Sequence, residues 1–316
     1  MLKRVVVAID GLTDQQRQRI TSHGDGWAIV DFISERPDNW GDALAQAEVM
    51  LGWPPPQAIA RSEVRFFQLP SSGWEQYLTE ALPTKPQFRL ANARGVAAVA
   101  VAEHCLSMMF AFTRQVALHA QQQARRQWQR ASHYALLAGS TVAIVGMGAV
   151  GRALAERCHA LGMHVIGVQR GADAPAYVAE VYALKQLHAA LGKARHVALA
   201  IAALPRSEPL FGATEFHSMP NGSYFYNLAR GSLVDQSALE AALREGRLAG
   251  AGLDVFLHEP LPETSCLWDL DGVLVSPHAG GRFDDELDGL IDLFLHNLQQ
   301  YRGGKPMKNL VIDTTS

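Results

Sequence analysis

The sequence predicts an α/β protein in which parallel sheets are covered by helices. Two observations support this class. Short apolar runs alternate with segments of helical periodicity along most of the 316 residues, and one run ends at a glycine-rich turn that begins with Gly146. Because a domain usually has about 150 residues, this length allows two domains.

The first part of the chain predicts one alternating series of strands and helices. Thr13 followed by Gln16 is the pattern of a capping box, which begins a helix that continues through Ile20. A further helix is expected from about Trp74, after a polar segment. The predicted strands are residues 3–9, 27–33, 48–52 and 64–69, with a short helix at 40–47 and extended segments at 88–95 and 308–313.

The second part predicts another series. Residues 96–123 have a helical pattern without glycine or proline, which predicts one long helix. An amphipathic helix is expected at 283–302. Between them, the sequence predicts six parallel strands, at residues 141–145, 164–169, 196–202, 223–228, 248–255 and 273–276.

The turn Gly146-Met147-Gly148-Ala149-Val150-Gly151 has the residue types that a phosphate-binding turn needs. Gly146 lets the chain turn sharply, Gly148 has no side chain to keep a pyrophosphate from the backbone, and Gly151 lets the helix pack closely on the strand. The helix N-terminus offers free N–H groups and positive potential. Glycine-rich turns also occur in methyltransferases and as purely structural turns. Here a strand precedes the turn and a helix follows it, which predicts a dinucleotide site in a doubly wound parallel sheet.

The end of the next strand indicates which dinucleotide binds. In this fold an Asp or Glu at that position accepts hydrogen bonds from the ribose hydroxyls of NAD. The strand here ends in Gln169-Arg170, so the acid is missing and a guanidinium is available for a 2′-phosphate. The sequence therefore predicts NADP (NADPH) as the preferred cofactor, with NAD as an alternative. The other interpretation is that Arg170 simply faces solvent.

Three polar residues follow predicted strands in the second series. They are Arg230, Glu259 and His278. Because ligands bind at the carboxyl ends of the strands in such sheets, we expect the three side chains to converge there. An arginine can bind a carboxylate and polarise the adjacent carbonyl, a histidine can deliver a proton as hydride arrives, and a carboxylate can orient that histidine. This set predicts carbonyl reduction.

Together these motifs resemble the D-isomer-specific 2-hydroxyacid dehydrogenase family. The shared motifs run in order over residues 139–281: the glycine turn, Asn-x-x-Arg-Gly-x-x-Val-Asp, Leu-Asp-Val-Phe-x-x-Glu-Pro-Leu-Pro and Ser-Pro-His. The resemblance implies that His278 is the general acid/base, that Glu259 is its partner and that Arg230 anchors the substrate.

The resemblance also implies the remaining ligand contacts. Asp254 is expected near the nicotinamide, and the backbone N–H groups of Ser72-Gly73 are expected to bind the substrate carboxylate. The expected cofactor-binding residues are Gly146, Gly148, Ala149, Val150, Gly151, Gln169, Arg170, Leu204, Pro205, Ala229, Arg230, Asp254 and His278. The expected substrate-binding residues are Trp53, Ser72, Gly73, Arg230 and His278.

For the domains, the resemblance implies a smaller flavodoxin-like α/β substrate domain, residues 1–94 and 284–316. A Rossmann dinucleotide-binding domain, residues 95–283, is inserted in it. The helix from Val96 and the segment to Gly139 are similar to a dimer arm, so a homodimer is expected. No metal is expected.

Within the family, Gly52-Trp53-Pro54-Pro55 and Gln169-Arg170 are similar to bacterial glyoxylate/hydroxypyruvate reductases that use NADPH. This similarity predicts reduction of a small 2-oxo acid, such as glyoxylate or hydroxypyruvate, to the D-2-hydroxy acid. Two positions depart from the family pattern: Trp74-Glu75 replaces the usual Val-Asp after Gly73, and Arg282 follows the histidine motif. Both bear on substrate choice.

Two other functions stay open. The chain could be a dinucleotide-sensing, corepressor-like binding protein, or an NAD-dependent D-2-hydroxyacid dehydrogenase with another substrate. A reductase of the short-chain type is not indicated, because Tyr182 and Lys185 are one residue too close for Tyr-x-x-x-Lys.

Composition bounds the partners and the compartment. A net charge of −3 gives no basic field for nucleic acid, and the longest apolar stretch is interrupted by Glu103-His104, so no membrane span is expected. The three cysteines have no C-x-x-C spacing, which argues against a zinc site or a disulfide framework. We therefore expect a cytoplasmic protein.

Overall fold

The computed structural model describes residues 2–79, 81–171, 173–202 and 208–315. The chain divides into two compact units. The first comprises Met1–Val96 with Phe283–Ser316, and the second comprises Ala97–Arg282. Each unit has its own sheet.

The described residues form strands and α-helices in alternation. The strands are β1 (Lys3–Ala8), β2 (Ala28–Ile33), β3 (Val49–Leu51), β4 (Phe66–Gln68), β5 (Arg89–Ala91), β6 (Thr141–Val145), β7 (His164–Val168), β8 (Glu180–Tyr182), β9 (His196–Leu199), β10 (Ser223–Asn227), β11 (Leu248–Leu253), β12 (Val273–Val275) and β13 (Leu310–Asp313). The helices are α1 (Asp14–Gly24), α2 (Trp40–Ala43), α3 (Pro56–Arg61), α4 (Ala98–Thr113), α5 (Val116–Ala124), α6 (Ala149–Ala160), α7 (Leu187–Leu191), α8 (Ala213–Ser218), α9 (Gln236–Arg244) and α10 (Glu286–Arg302). Short 3-10 helices occur at Glu75–Tyr77, Leu184–Gln186, Gly231–Leu233 and Cys266–Trp268.

The sheet of the first unit has six strands in the order β13-β5-β4-β3-β1-β2. Strands β1 to β5 pair in parallel, and β13 is antiparallel to β5. The order 2-1-3-4-5 is that of flavodoxin-like folds. Alternate residues of β1 enter different cores: Val5 and Val7 pack with α1 and α10, whereas Val6 and Ala8 pack with α2 and α3. Helices therefore cover both faces.

The sheet of the second unit has seven parallel strands in the order β12-β11-β10-β9-β6-β7-β8. Counted from β6, this is the order 3-2-1-4-5-6-7 of a doubly wound dinucleotide-binding sheet, with its switch point between β6 and β9. Val142 and Ile144 face the core under α4 and α6, whereas Ala143 and Val145 face the core under α7 to α9. The predicted α/β class, with two parallel series, is confirmed.

The predicted capping box is present in the first unit. Gln16 N donates to Thr13 Oγ1 at 3.2 Å, and Thr13 N donates to Gln16 Oε1 at 3.0 Å. These two bonds satisfy backbone donors that would otherwise lack partners at the start of α1.

The predicted long helix over residues 96–123 is wrong. It is divided into α4 and α5 by Gln115, which has a φ of 58°. The Gln115 side chain donates to Phe112 O at 3.0 Å, so it satisfies one of the carbonyls that the end of α4 leaves free. Neither glycine nor proline marks this break.

Further differences from the predictions are found at β8 and after Trp74. The second sheet has seven strands rather than six, because the short β8 pairs with the edge of β7. The segment after Trp74 contains a 3-10 helix at Glu75–Tyr77 instead of the start of an α-helix. The hydroxyl of Tyr77 donates to Pro54 O at 2.8 Å, which fixes this short turn to the loop after β3.

No helix in the described residues is long and apolar enough to cross a membrane.

Candidate active site

The glycine turn lies at the switch point of the second sheet, between the ends of β6 and β9. Gly146 has a φ of 104°, and a Cβ there would lie 2.6 Å from Ile201 N. A Cβ at Gly151 would overlap the Gly146 carbonyl oxygen, whereas a Cβ at Gly148 would meet nothing within 4 Å. The first and third glycines are therefore required by packing, and the second leaves open space in front of the backbone.

The helix that follows the turn is available to an anion. Its N-cap is Gly148, which has no side chain to accept from the first N–H groups, and Ala149 and Val150 form its first turn. Free N–H groups and the positive end of the helix dipole thus face the open space at Gly148. The residues present fit a dinucleotide pyrophosphate.

This asymmetry predicts different effects for two matched substitutions. Gly148→Ala is expected to leave the free energy of unfolding within about 0.5 kcal/mol of the parent and to weaken NADPH binding about tenfold, because the methyl group enters the phosphate space. Gly151→Ala is expected to lower the free energy of unfolding by about 1–3 kcal/mol or more, because the helix must move away from the turn. Urea unfolding and cofactor titration measure both; equal destabilisation by the two would contradict this assignment.

Gln169 and Arg170 follow β7, the neighbour of β6. Gln169 Nε2 donates to Asp173 O at 2.6 Å, which closes the turn after the strand. Arg170 is exposed, and within the described part of the chain its guanidinium has no hydrogen-bond or ion-pair partner. A guanidinium group is thus available at the strand end where this fold distinguishes NAD from NADP by contacts with the ribose.

The other predicted site residues of this unit follow β10, β11 and β12. Asn227, Leu253 and Val275 are level with one another in the parallel register, so these strands end at the same edge. A Cβ at Gly231 would overlap the Phe256 carbonyl, so the loop after β10 packs directly on the loop after β11. The structure therefore brings the segments that carry Arg230, Glu259 and His278 to one sheet edge.

His278 and Glu259 form a direct contact. His278 Nδ1 lies 2.8 Å from Glu259 Oε2, and Glu259 Oε1 accepts from Phe256 N at 2.9 Å. The carboxylate is thus fixed by its own loop and orients the imidazole. Half of the His278 side chain is exposed (50%), and Nε2 has no partner among the described residues. This nitrogen is free to exchange a proton with a ligand.

A cavity of about 550 Å³ adjoins this pair. Its walls are mainly apolar: they are formed by Phe256, Glu259, Pro260, Leu261, Trp268, Val275, Pro277 and His278. Trp268 Nε1 donates to Pro262 O at 3.0 Å, which holds the indole against the loop of Glu259. The pair therefore borders apolar surface on one side.

Asp254 is almost fully buried and holds the turn beside His278. Oδ1 accepts from Ser276 Oγ at 2.6 Å and Ala279 N at 2.9 Å, and Oδ2 accepts from Gly280 N at 3.0 Å. Burial alone would raise the pKa of Asp254, but the nearby His104 side chain and the hydrogen bonds from Ser276 and the two backbone N–H groups outweigh it and lower the pKa to about 2. Asp254 is therefore a carboxylate at neutral pH.

Arg230 is half-buried, in the loop after β10. Its Nη1 donates to Ala229 O at 2.7 Å, and Asn227 accepts from Ala229 N at 3.1 Å and donates to Arg230 O at 3.1 Å. The buried amide of Asn227 thus pairs with the N–H group of Ala229 and with the carbonyl group of Arg230. This explains the asparagine three residues before the arginine in the motif.

Trp53, Ser72 and Gly73 lie in the first unit, after the adjacent parallel strands β3 and β4. Asn92 Nδ2 donates to Ser72 O at 2.7 Å, and Ser71 Oγ donates to Gly73 O at 2.8 Å. Both carbonyls are therefore used inside the unit, and these bonds fix the loop backbone.

Leu204 and Pro205 lie outside the described residues.

Two polar residues near the carboxyl ends of the strands in the second sheet were given no role from the sequence. They are His104 and Ser276, whose Nε2 and Oγ atoms are 2.8 Å apart. The signal that existed was weak. His104 appeared as a polar interruption in an apolar helix, and Ser276 as part of the Ser-Pro-His motif.

Comparison with known proteins identifies the family of this chain. The family model described as D-isomer specific 2-hydroxyacid dehydrogenase, NAD binding domain, matches residues 106–280. The chain belongs to this family. It is thus related to NAD(P)-dependent oxidoreductases, and its second unit contains the family's NAD-binding domain.

Individual relatives are similar over much or all of the chain. Glyoxylate/hydroxypyruvate reductase B of Klebsiella pneumoniae is 29% identical in an alignment of 324 positions that covers 98% of this chain and 98% of that protein. Glycerate dehydrogenase of Methylorubrum extorquens is 31% identical over 68% of this chain and 69% of that protein. The crystal structure of a D-isomer specific 2-hydroxyacid dehydrogenase from Xanthobacter autotrophicus Py2, in complex with NADPH and MES, is 25% identical, with a TM-score of 0.80 and 98% of each chain covered.

Proposed function

We propose that this protein is an NADPH-preferring reductase that converts a small 2-oxo acid, of the glyoxylate or hydroxypyruvate kind, to the D-2-hydroxy acid. The observation that carries the proposal is the 2.8 Å contact between His278 Nδ1 and Glu259 Oε2, which leaves Nε2 free beside the cofactor-binding edge. The similarity to glyoxylate/hydroxypyruvate reductase B over the whole chain supports the substrate class.

In this proposal the chain's own residues manage the proton and the substrate. When bound, the reduced nicotinamide supplies the hydride for the carbonyl carbon. His278 Nε2 donates a proton to the carbonyl oxygen, while the Glu259 carboxylate stabilises the imidazolium before transfer and keeps the ring in place. Reversal of the same step makes the neutral imidazole a base for alcohol oxidation.

Arg230 binds the carboxylate of the substrate. A planar guanidinium can form two parallel, charge-assisted hydrogen bonds with a carboxylate, which fixes the orientation of the adjacent carbonyl. The loop Ser72-Gly73 of the first unit is proposed as a second carboxylate contact, with Trp53 bordering the substrate. In this proposal the first unit is the substrate domain and the second the dinucleotide domain.

The preference for NADPH rests on Arg170. It follows the strand where NAD-specific members of this fold carry an acid, and its guanidinium is exposed and uncommitted within the described residues. The Xanthobacter relative was crystallised with NADPH, which is consistent with this preference.

Substitution of Arg170 tests the preference. Arg170→Ala is expected to raise the KM for NADPH about 10- to 100-fold and to leave the KM for NADH nearly unchanged, because a charge-assisted hydrogen bond contributes about 1.5–3 kcal/mol. Arg244→Ala, which removes an exposed arginine of α9, is the matched control and should alter neither constant. A parent protein that prefers NADH would contradict the assignment.

The function itself is tested by steady-state assays of the purified protein with a panel of 2-oxo acids and both cofactors. The corepressor-like alternative predicts tight NADPH binding without turnover on any of them. An NAD-dependent dehydrogenase of another substrate would instead show turnover with NADH and a different 2-oxo acid. The assay thus separates the three.

We also propose a homodimer, located in the cytoplasm. Between α5 and β6 the chain exposes large apolar side chains, including a fully exposed Trp128 and Leu136 at 68% exposure, as a contact surface for a second copy would. Light scattering is expected to give the mass of a dimer, and the mass of a monomer would contradict this proposal. The three cysteines are all unpaired, which supports a reducing compartment.

A further inference from the structure

A side-chain cluster behind the proposed acid/base joins helix α4 to the edge of the second sheet. His104 Nε2 lies 2.8 Å from Ser276 Oγ and 3.5 Å from Asp254 Oδ1. The His104 side chain is 25% exposed and that of Asp254 6%. This cluster does not include a residue that was assigned to substrate binding.

The hydrogen bonds fix the direction of donation. Ser276 Oγ has one proton and gives it to Asp254 Oδ1 at 2.6 Å. Toward His104 the hydroxyl is therefore an acceptor, so the ring carries a hydrogen on Nε2. His104 thus donates into a chain of hydrogen bonds that ends on the Asp254 carboxylate.

Asp254 in turn holds the backbone that presents His278. Its carboxylate accepts from the N–H groups of Ala279 and Gly280, and its own carbonyl oxygen accepts from His278 N at 2.9 Å. His278 has a φ of 52°, in a left-handed region that non-glycine residues seldom adopt and that persists only when the surroundings hold it. A Cβ at Gly280 would lie 2.8 Å from Asp254 Oδ2 and 3.0 Å from His104 Cδ2, so both side chains close over this turn.

Residues of α4 other than His104 also hold this helix on the sheet. Residues 104, 108 and 112 lie one turn apart on one helix face. Below it, a Cβ at Gly252 would lie 2.6 Å from Met108 Sδ, and a Cβ at Gly250 would lie 3.0 Å from Phe112 Cε1. The two glycines of β11 let Met108 and Phe112 pack closely, so the helix stays in place when the imidazole is removed.

We propose that His104 is a positioning residue: through Ser276 it holds Asp254, and Asp254 holds the strained turn from which His278 acts. This inference rests on the proposed function for its effect on turnover. The structural part of the inference, that His104 holds residues 278–280 in place, is independent of the reaction.

Two substitutions at the same position separate hydrogen bonding from packing. His104→Gln keeps an N–H donor near the Nε2 position, whereas His104→Leu keeps much of the volume and removes the donor. We expect His104→Leu to lower kcat about tenfold, with the KM for the 2-oxo acid and the midpoint of urea unfolding nearly unchanged, and His104→Gln to recover most of the loss. The control is His188→Leu, which removes another histidine–carboxylate contact, to Glu215 at 2.9 Å, and should leave kcat unchanged.

Hydrogen–deuterium exchange provides a readout that does not need turnover. In His104→Leu the amides of Ala279 and Gly280 should exchange about tenfold faster than in the parent, and in His104→Gln at nearly the parental rate. If the parent reduces no 2-oxo acid, the proposed function fails, and the exchange data still show whether His104 holds residues 278–280 in place. Parental exchange and kcat in His104→Leu, or equal losses in the Leu and Gln variants, would overturn the proposal.

Discussion

His278→Ala is expected to lower kcat about 10²- to 10⁴-fold, the usual range for a lost general acid, with NADPH affinity nearly unchanged. The reason is geometric. Nε2 is the ring nitrogen that has no partner among the described residues, because Nδ1 is held by Glu259 at 2.8 Å. Removal of the imidazole therefore removes the proton donor without touching the glycine turn. Single-turnover and steady-state assays measure kcat, and fluorescence titration measures the dissociation constant of NADPH.

A neighbouring histidine provides the control for that substitution. His258 is exposed and precedes Glu259, so His258→Ala changes the same loop without removing the pair. It should retain parental kcat. Turnover of His278→Ala close to that of the parent would reject the role of His278, and an equal loss in His258→Ala would assign the effect to the loop instead.

The second large effect is expected at Arg230. Arg230→Ala should lower kcat/KM for the 2-oxo acid about 10²- to 10⁴-fold, since two charge-assisted hydrogen bonds of about 1.5–3 kcal/mol each are lost. Both a raised KM and a lowered kcat are expected, because the guanidinium binds the carboxylate and also aligns the carbonyl. NADPH affinity should change little.

Arg230→Lys sharpens this test. Lysine keeps the positive charge but not the planar fork, so it should recover part of the KM and little of the kcat. Full recovery by lysine would show that charge alone is enough. A selective loss of NADPH affinity in Arg230→Ala, with an unchanged KM for the 2-oxo acid, would contradict the anchoring role.

Much of the fold could be predicted from local patterns. The apolar run of β6 and the glycines that follow it specify a strand, a turn and a helix by short-range sterics, and the structure shows each glycine in the expected environment. The break between α4 and α5 could not be predicted in this way. Gln115 adopts a left-handed conformation without a glycine or proline signal.

The sequence also failed to predict the strand β8. β8 has three half-buried residues at the edge of the sheet, where it pairs with β7, the strand that precedes it in the chain. Neither a long apolar run nor strict alternation marks so short an edge strand. Local patterns carry little information about it.

The site residues also differ in how far the sequence could predict them. Glu259 and His278 could be predicted because motifs mark them and because neighbouring parallel strands end at one edge. His104 could not, because its link to Asp254 joins α4 to the end of β11, across residues far apart in the chain. The packing of α4 on the glycines of β11 helps to bring the imidazole to the turn.

The most direct test is reduction of hydroxypyruvate by the unmodified protein with NADPH, combined with chiral analysis of the product. The account predicts NADPH oxidation in step with formation of D-glycerate, and slower turnover with NADH. Tight NADPH binding without product, or formation of the L-isomer, would contradict it.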